Sequence, residues 1–329
     1  MKRRACILVV SASLSPFIRQ AVAQGVKRAV KVGILRPGAH PMSSTDPQAA
    51  GIPDAFRELG YVEGRNLIVE RRYSGGDNAR MPALALELVR ARVDLIVAVA
   101  APAVRAAKDA TSTIPIVMFG NFDPVALGLV ASLAEPGGNV TGILIAPDGT
   151  LAGKRLELLK AIVPSAKRIG LLVPPDEPSI RLQVQETRKA AATLGVELIV
   201  HEVRGWDYAS AFDAIAAQRP GALVVAANSS FLRDRGQIIE LAARHRLPAM
   251  YEWREQVVDG GLMAYGANLK ALYHRVARTA DRIFSGTAPG NIPVEQPTRL
   301  ELAINLKTAK ALGLAIPQSL RLRTDEVIE

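Results

Sequence analysis

The 329-residue chain has one cysteine, Cys6, only four histidines, and aromatic residues at just 5%. Cys6 lies in an N-terminal stretch that reads as a cleavable leader, so the remaining chain is expected to carry no thiol. Disulfides, thiolate metal sites and a cysteine nucleophile are then excluded together, as are two-domain racemases that work with facing cysteines. His40, His201, His245 and His274 are scattered, and none stands at helical spacing from a carboxylate in a ligand-like pattern. Although 49% of residues are hydrophobic, no uninterrupted apolar run approaches the roughly 20 residues that span a bilayer. Missing too are a G-x-S-x-G elbow, an H-E-x-x-H helix and a G-x-G-x-x-G turn after a strand. The stretch from Gly149 to Arg155 looks superficially like a phosphate loop, but its glycines are too close together and no Ser or Thr follows Lys154. It reads instead as the start of a helix through "KRLELLKAIV". With no acid, base and nucleophile assembled, neither catalysis nor a cofactor nor a metal is expected.

The formal net charge is +10, yet Lys2, Arg3, Arg4 and Arg19 fall in the leader. The other basic residues are interspersed with acids, as in "RVDLIV", and no basic run is interleaved with aromatics. Nucleic acid is therefore not an expected partner.

What the chain does have is a plan stated twice. From Val32, "VGILRPG", "NLIVERRY", "DLIVAVAAP" and "IPIVMF" alternate with helix-like stretches. From Ile169 the same order returns as "IGLLVPP", "ELIVHEV", "ALVVAAN" and "LPAMY". The two copies are offset by about 130 residues, a duplicated domain and not a short tandem repeat. These runs are rich in Val and Ile and lack the alternation of a strand with one wet face, so helices should cover both faces. The expected fold class is α/β: two doubly wound parallel-sheet lobes, with ligands collecting beyond the carboxyl ends of the strands.

The N-terminal stretch has the order of a secretory signal peptide. Three basic residues precede the apolar "ACILVV", and "AVA" at Ala21 to Ala23 offers small residues before a cut at Gln24. Residues 1–23 are read as that leader, and the protein as exported.

Two strand ends carry helix-start signals. Pro102 opens "PAVRAAKDA" directly after "DLIVAVA", where the first-turn amides and the positive end of the helix dipole can meet an anion. Asp123 before Pro124 is a helix N-cap, which leaves Asn121 and Phe122 free to face a cleft.

The blocks "AFRELGYVEGRNLIVERRY", "DPVALGLVASLAEPGGNVTGI", "KRLELLKAIVP", "ELAARHRLPAMY", "GGLMAYGANL" and "PVEQPTRLELAINLKTAKALGLAIPQSL" closely resemble the solute-binding proteins of ABC-type importers that include tryptophan and tyrosine binders. The resemblance runs from about Val32 to Glu329. It implies a type I periplasmic-binding-protein fold, a periplasmic location, no catalysis, and two lobes closing on a small solute that is handed to an ABC permease in the inner membrane. A ligand-sensing module of a receptor uses the same fold and is the alternative. A monomer is expected. Where the family commonly has Ser or Thr before the proline of the "PAVRAAK" helix, this chain has Ala101, and Arg36 and His40 are available to supply the missing anion contact.

The first lobe should comprise residues 32–142 and 267–297, and the second 143–262 and 298–329, joined through a multi-strand hinge with Gly142 and Gly266 at its turns. The strand-end rule nominates Arg36, His40, Ser43, Ser44, Ala101, Gly120, Asn121 and Phe122 in the first lobe. In the second it nominates Pro175, Asp176, Asn228, Ser229, Tyr251 and Trp253, with Tyr265 at the crossover. Amides and aromatics dominate this set, so the expected solute is amino-acid-like or an aromatic carboxylate.

Overall fold

The computed structural model describes residues 27–38, 47–146, 149–174, 178–297 and 299–329. The expected leader and the nominated His40, Ser43, Ser44, Pro175 and Asp176 lie outside the described residues. In chain order the first half runs β1 (Val30–Arg36), α1 (Pro47–Glu58), β2 (Leu67–Tyr73), α2 (Met81–Arg90), β3 (Leu95–Val99), α3 (Ala101–Ala110), β4 (Ile116–Gly120) and β5 (Val140–Leu144). The next part holds α4 (Thr150–Ile162), β6 (Arg168–Val173), α5 (Pro178–Thr193), β7 (Glu197–Glu202), α6 (Tyr208–Ala217), β8 (Ala222–Val225), α7 (Ser229–Arg233), α8 (Arg235–Arg244) and β9 (Ala249–Tyr251). It ends with α9 (Arg254–Val258), β10 (Met263–Ala267), α10 (Leu269–Phe284), β11 (Leu300–Asn305), α11 (Leu306–Ala311), α12 (Gln318–Arg321) and β12 (Glu326–Ile328).

The first sheet has the order β2-β1-β3-β4-β5 and is parallel throughout. Its strands explain the absence of alternation in the sequence. Val32, Ile34, Leu95 and Val97 pack beneath α1 and α10, while Leu35, Ile96 and Ala98 face α2 and α3 on the other side. Both faces of β3, β4 and β5 are dry, so every position there can be apolar, whereas the edge strand β2 keeps Glu70, Arg71 and Arg72.

The second sheet has the order β12-β11-β10-β9-β8-β6-β7. Its strands pair in parallel except for β10 with β11. That exception departs from the all-parallel expectation and follows from connectivity. After β10 the chain leaves to place α10 on the first lobe, and it re-enters beside β10 running in the opposite sense.

The chain thus passes between lobes three times: after β5, after β10 and before β11. The third passage is tied to the first sheet, since Glu295 pairs with Ile143 and exchanges bonds of 2.8 and 2.9 Å with Leu144 and Gly142. α10 is the amphipathic element that closes the first lobe, burying Leu269, Leu272, Tyr273, Val276, Ala280 and Ile283 along one stripe. Gly51 on α1 makes room for it, because a Cβ there would lie 2.2 Å from the Tyr273 ring.

Gly142 and Gly266 are both required sterically. A Cβ on Gly142, whose φ is 153°, would sit 2.1 Å from the Met118 carbonyl oxygen, and one on Gly266 would sit 2.4 Å from that of Glu252. β5 runs to Leu144 within the first sheet, and β10 belongs to the second.

Candidate functional site

The carboxyl ends of β1, β3 and β4 face those of β8 and β9 across the gap between the lobes. Among the described residues, three neighbouring chambers open there. The innermost holds about 50 Å³ and is lined by Arg36, Ala100, Gly120 and Asn121 from the first sheet, Leu269 and Tyr273 from α10, and Asn228, Ser229, Glu252 and Trp253 from the second lobe. A larger chamber of about 350 Å³ joins Ala101, Pro102, Arg105, Asn121, Phe122 and Leu127 on one side to Ala146, Gly149, Leu182 and Gln183 on the other. A third, of about 140 Å³, lies among Pro37, Gly38, Gly76 and Pro102, with Trp206, Asn228 and Ser229 opposite.

Local sequence sets each wall. β3 ends at Val99, and Ala100 then adopts φ 66° and ψ 157° before Ala101 and Pro102 open α3. That conformation is nearly confined to glycine, and it turns the chain sharply enough to present the first turn of α3 to the gap. Asn228 caps α7, its side-chain oxygen accepting from the Ser230 amide at 2.8 Å. Behind the large chamber, Gln183 of α5 holds the end of β8 by a reciprocal pair: it donates to the Ala227 carbonyl at 3.0 Å and accepts from the Ala227 amide at 2.9 Å.

The strongest charges at the gap are buried. Glu252 is 3% exposed and Arg155, on α4, is 2% exposed. Glu252 Oε1 accepts from Arg155 Nη2 at 3.3 Å and from Asn121 Nδ2 at 3.0 Å, and Arg155 Nε donates to the Tyr265 carbonyl at 2.8 Å. Both of these bonds fall on Oε1. Burial raises the Glu252 carboxyl above its ordinary range, and the Arg155 guanidinium and the Asn121 amide oppose that rise. Burial also lowers Arg155 from its usual value, although a guanidinium keeps its proton in proteins. Arg36, of opposite charge to Glu252, is buried on the same inner chamber.

Of the nominated residues, the inner chamber gathers Arg36, Gly120, Asn121, Asn228, Ser229 and Trp253, and the larger one Ala101, Phe122 and again Asn121. Phe122 is at the same time packed in the first-lobe core, and Trp253 in a cluster with Leu232, Leu269 and Tyr273 that joins the lobes. Tyr251 is not brought to the gap. It points into the core of the second lobe, whereas Glu252 and Trp253, just past the end of β9, turn toward the first lobe. Tyr265 packs against that same core, half-buried, and contributes its carbonyl to Arg155.

Strand ends alone did not point to Tyr273, Leu269, Leu182 or Gln183, which arrive on helices. Arg155 did leave a signal. It falls in the apolar stripe of Ala152, Leu156 and Leu159 on α4, where a charge needs a buried partner.

The family model described as "ABC transporter substrate binding protein" matches residues 31–328. The chain belongs to that family. It is 28% identical over 288 residues to a tyrosine-binding protein of Clostridioides difficile (strain R20291), spanning 88% of this chain and 82% of that protein. It is similar to the structure of an ABC domain in complex with L-Trp from Streptococcus pneumonia, at 26% identity and a TM-score of 0.79, over 91% of this chain and 100% of that one. It also resembles the ligand-free, open structure of a substrate binding protein with adhesive properties from Clostridium difficile, at 25% identity and a TM-score of 0.61, over 91% and 99%. The fold is that of the type I periplasmic binding proteins, and members of this substrate-binding family are binding proteins, not enzymes. Among the described residues, no helix is long and apolar enough to cross a membrane.

Proposed function

We propose that this substrate-binding protein is exported to the periplasm, captures an amino-acid-like solute with an apolar or aromatic body between its lobes, and delivers it as a monomer to an ABC permease. The observation that carries the ligand class is that Arg36 and Glu252 both line one small chamber, beside a much larger and mostly apolar one. A solute carboxylate would face Arg36 and the first turn of α3. An ammonium group would meet Glu252, whose Oε1 already serves Asn121 and Arg155 while its other oxygen remains for a ligand. The apolar body would fill the chamber beside Phe122 and Leu182.

The lobes follow the two sheets, so the expected boundaries at residues 142 and 267 move to just past Leu144 and just past Ala267, and the lobes close about the three passages between them. The likeness to the L-Trp complex exceeds that to the ligand-free open structure, 0.79 against 0.61, at nearly equal identity. That difference supports reading the present arrangement as a closed one. Closure would follow from a ligand that contacts both lobes and so favours the closed population.

The test is calorimetric titration of ligand-stripped protein with L-tyrosine, L-tryptophan and their decarboxylated and deaminated analogues, alongside mass spectrometry of solute released from natively purified protein. Saturable binding that needs both the carboxylate and the ammonium is expected. A released solute carrying neither group would overturn the ligand class.

A further inference from the structure

The second lobe has another cavity, of about 310 Å³, between α8, α11 and the turns that precede β9 and β10. It shares no lining residue with the three interlobe chambers. Its walls are largely aliphatic, with Ile239, Leu247 and Leu262 among them, and Tyr251 lines it from within the sheet. Tyr251 is 1% exposed.

The Tyr251 hydroxyl bonds to no described residue, and burial alone raises its phenol far above the ordinary value. The other two tyrosines buried to this degree with raised phenols behave differently: Tyr61 donates to Asp281 at 2.7 Å and Tyr208 to Asp234 at 2.6 Å. The ring is buried while its hydroxyl has no partner among the described residues and lines the cavity, so whatever fills the cavity is left to bond it. Gly261 keeps the ring where it is, since a Cβ there would lie 2.7 Å from its edge. At the rim stand two exposed cations, Arg246 and Lys307, and no carboxylate lines the cavity.

We propose that this cavity is a second small-molecule site, for a compact carboxylate with an apolar body and a second oxygen at its far end, of the hydroxybenzoate or short hydroxy-acid class. The far oxygen bonds to the Tyr251 hydroxyl, the body lies against the aliphatic walls, and the carboxylate faces Arg246 and Lys307. The inference stands apart from the ligand read for the interlobe gap, although Tyr251, the last residue of β9, directly precedes Glu252.

The experiment is a titration of the full chain with 4-hydroxybenzoate and with benzoate, followed by NMR or calorimetry. Saturable binding is expected, with 4-hydroxybenzoate favoured about tenfold, as one added hydrogen bond allows. Tyr251→Phe should erase that preference while leaving the thermal midpoint of the empty protein unchanged or higher. Ala243→Trp, at the mouth of the cavity, should block both probes, and Ala101→Trp, in the interlobe gap, should block neither. Absence of saturation up to about 10 mM, survival of the preference in Tyr251→Phe, or blockage by Ala101→Trp instead of Ala243→Trp would each overturn the proposal.

Discussion

Asn121, at the end of β4 in the first lobe, donates its side-chain amide to Glu252 of the second lobe across 3.0 Å. The same asparagine accepts from the Ala146 amide at 2.8 Å, so one side chain ties the first passage between lobes to the charged centre of the gap. Arg155 completes the arrangement from α4 and anchors it to the Tyr265 carbonyl. The network fixes where Glu252 stands, and Glu252 is the acidic side chain on the inner chamber.

Removing one member of a buried ion pair strands the other. Arg155→Ala should therefore cost about 3–5 kcal/mol of stability, whereas replacing Arg155 and Glu252 together by methionines should cost far less. Urea unfolding of the three proteins checks this. Equal losses in the single and double variants would mean that packing, not charge, governs the site.

Glu255 gives a pH dependence of definite sign. Its Oε2 is buried and meets no donor, and burial raises its carboxyl above the ordinary value. Between the unfolded value and the raised folded one, the folded chain holds more protons, so stability falls as pH rises through that window and stays reduced above it. Glu255→Met lacks this loss. Its urea midpoint should gain on that of the parent protein as pH rises from the ordinary carboxylate range, and a constant difference would contradict the assignment.

Trp253 both lines the inner chamber and packs between the lobes with Leu232 and Tyr273. Truncation to alanine should cost about 3–5 kcal/mol of stability, which would confound any binding measurement. Trp253→Phe keeps most of the packing. It should fold, with ligand affinity lowered about tenfold by lost contact area, measured by calorimetry on the titrated solute. Unchanged affinity would mean that the solute makes no contact in the inner chamber, which would remove Arg36 and Glu252 as its partners.

Periodicity and strand-end logic reached the fold and most of the gap for a clear reason. Parallel strands buried on both faces leave continuous apolar runs, and whatever follows each run lies at one end of the sheet. Arg36, Asn121, Asn228 and Trp253 were legible in this way. Tyr251 was not, because the rule names a strand end without saying which face a side chain takes, and a one-residue difference sends Tyr251 to the core and Glu252 to the gap. Tyr273 and Gln183 were hidden for another reason: they come from helices whose approach to the gap is set by tertiary packing. The antiparallel β11 was equally invisible, since its direction depends on the excursion of α10 to the other lobe.

Gly142 was read as a hinge glycine, and its surroundings make a sharper claim. A Cβ there would collide with backbone, the Met118 carbonyl, which cannot swing aside as a side chain would. Gly142→Ala should lose about 2–4 kcal/mol through strain at a positive φ and forced separation of β4 from β5. Denaturant unfolding checks it. A loss below about 1 kcal/mol, the ordinary result for a mutation, would mean that the two strands part easily.

Ala100 bears the opposite kind of strain. Its φ of 66° with ψ of 157° is a conformation in which a Cβ costs about 1–3 kcal/mol. It is held by the Ala100 amide donating to the Phe119 carbonyl at 2.9 Å and by the Ala100 carbonyl accepting from Val104 at 3.2 Å. Gly120 leaves room for this turn, since a Cβ on it would come within 3.3 Å of the Ala100 Cα. Ala100→Gly removes the clash but adds freedom to the unfolded chain, an offset of about 0.4–1 kcal/mol. The net expectation is a rise in stability of up to about 2 kcal/mol, read as a higher urea midpoint. A lower midpoint would show that no strain is stored at this turn, and the sharp entry into α3 would then need another cause.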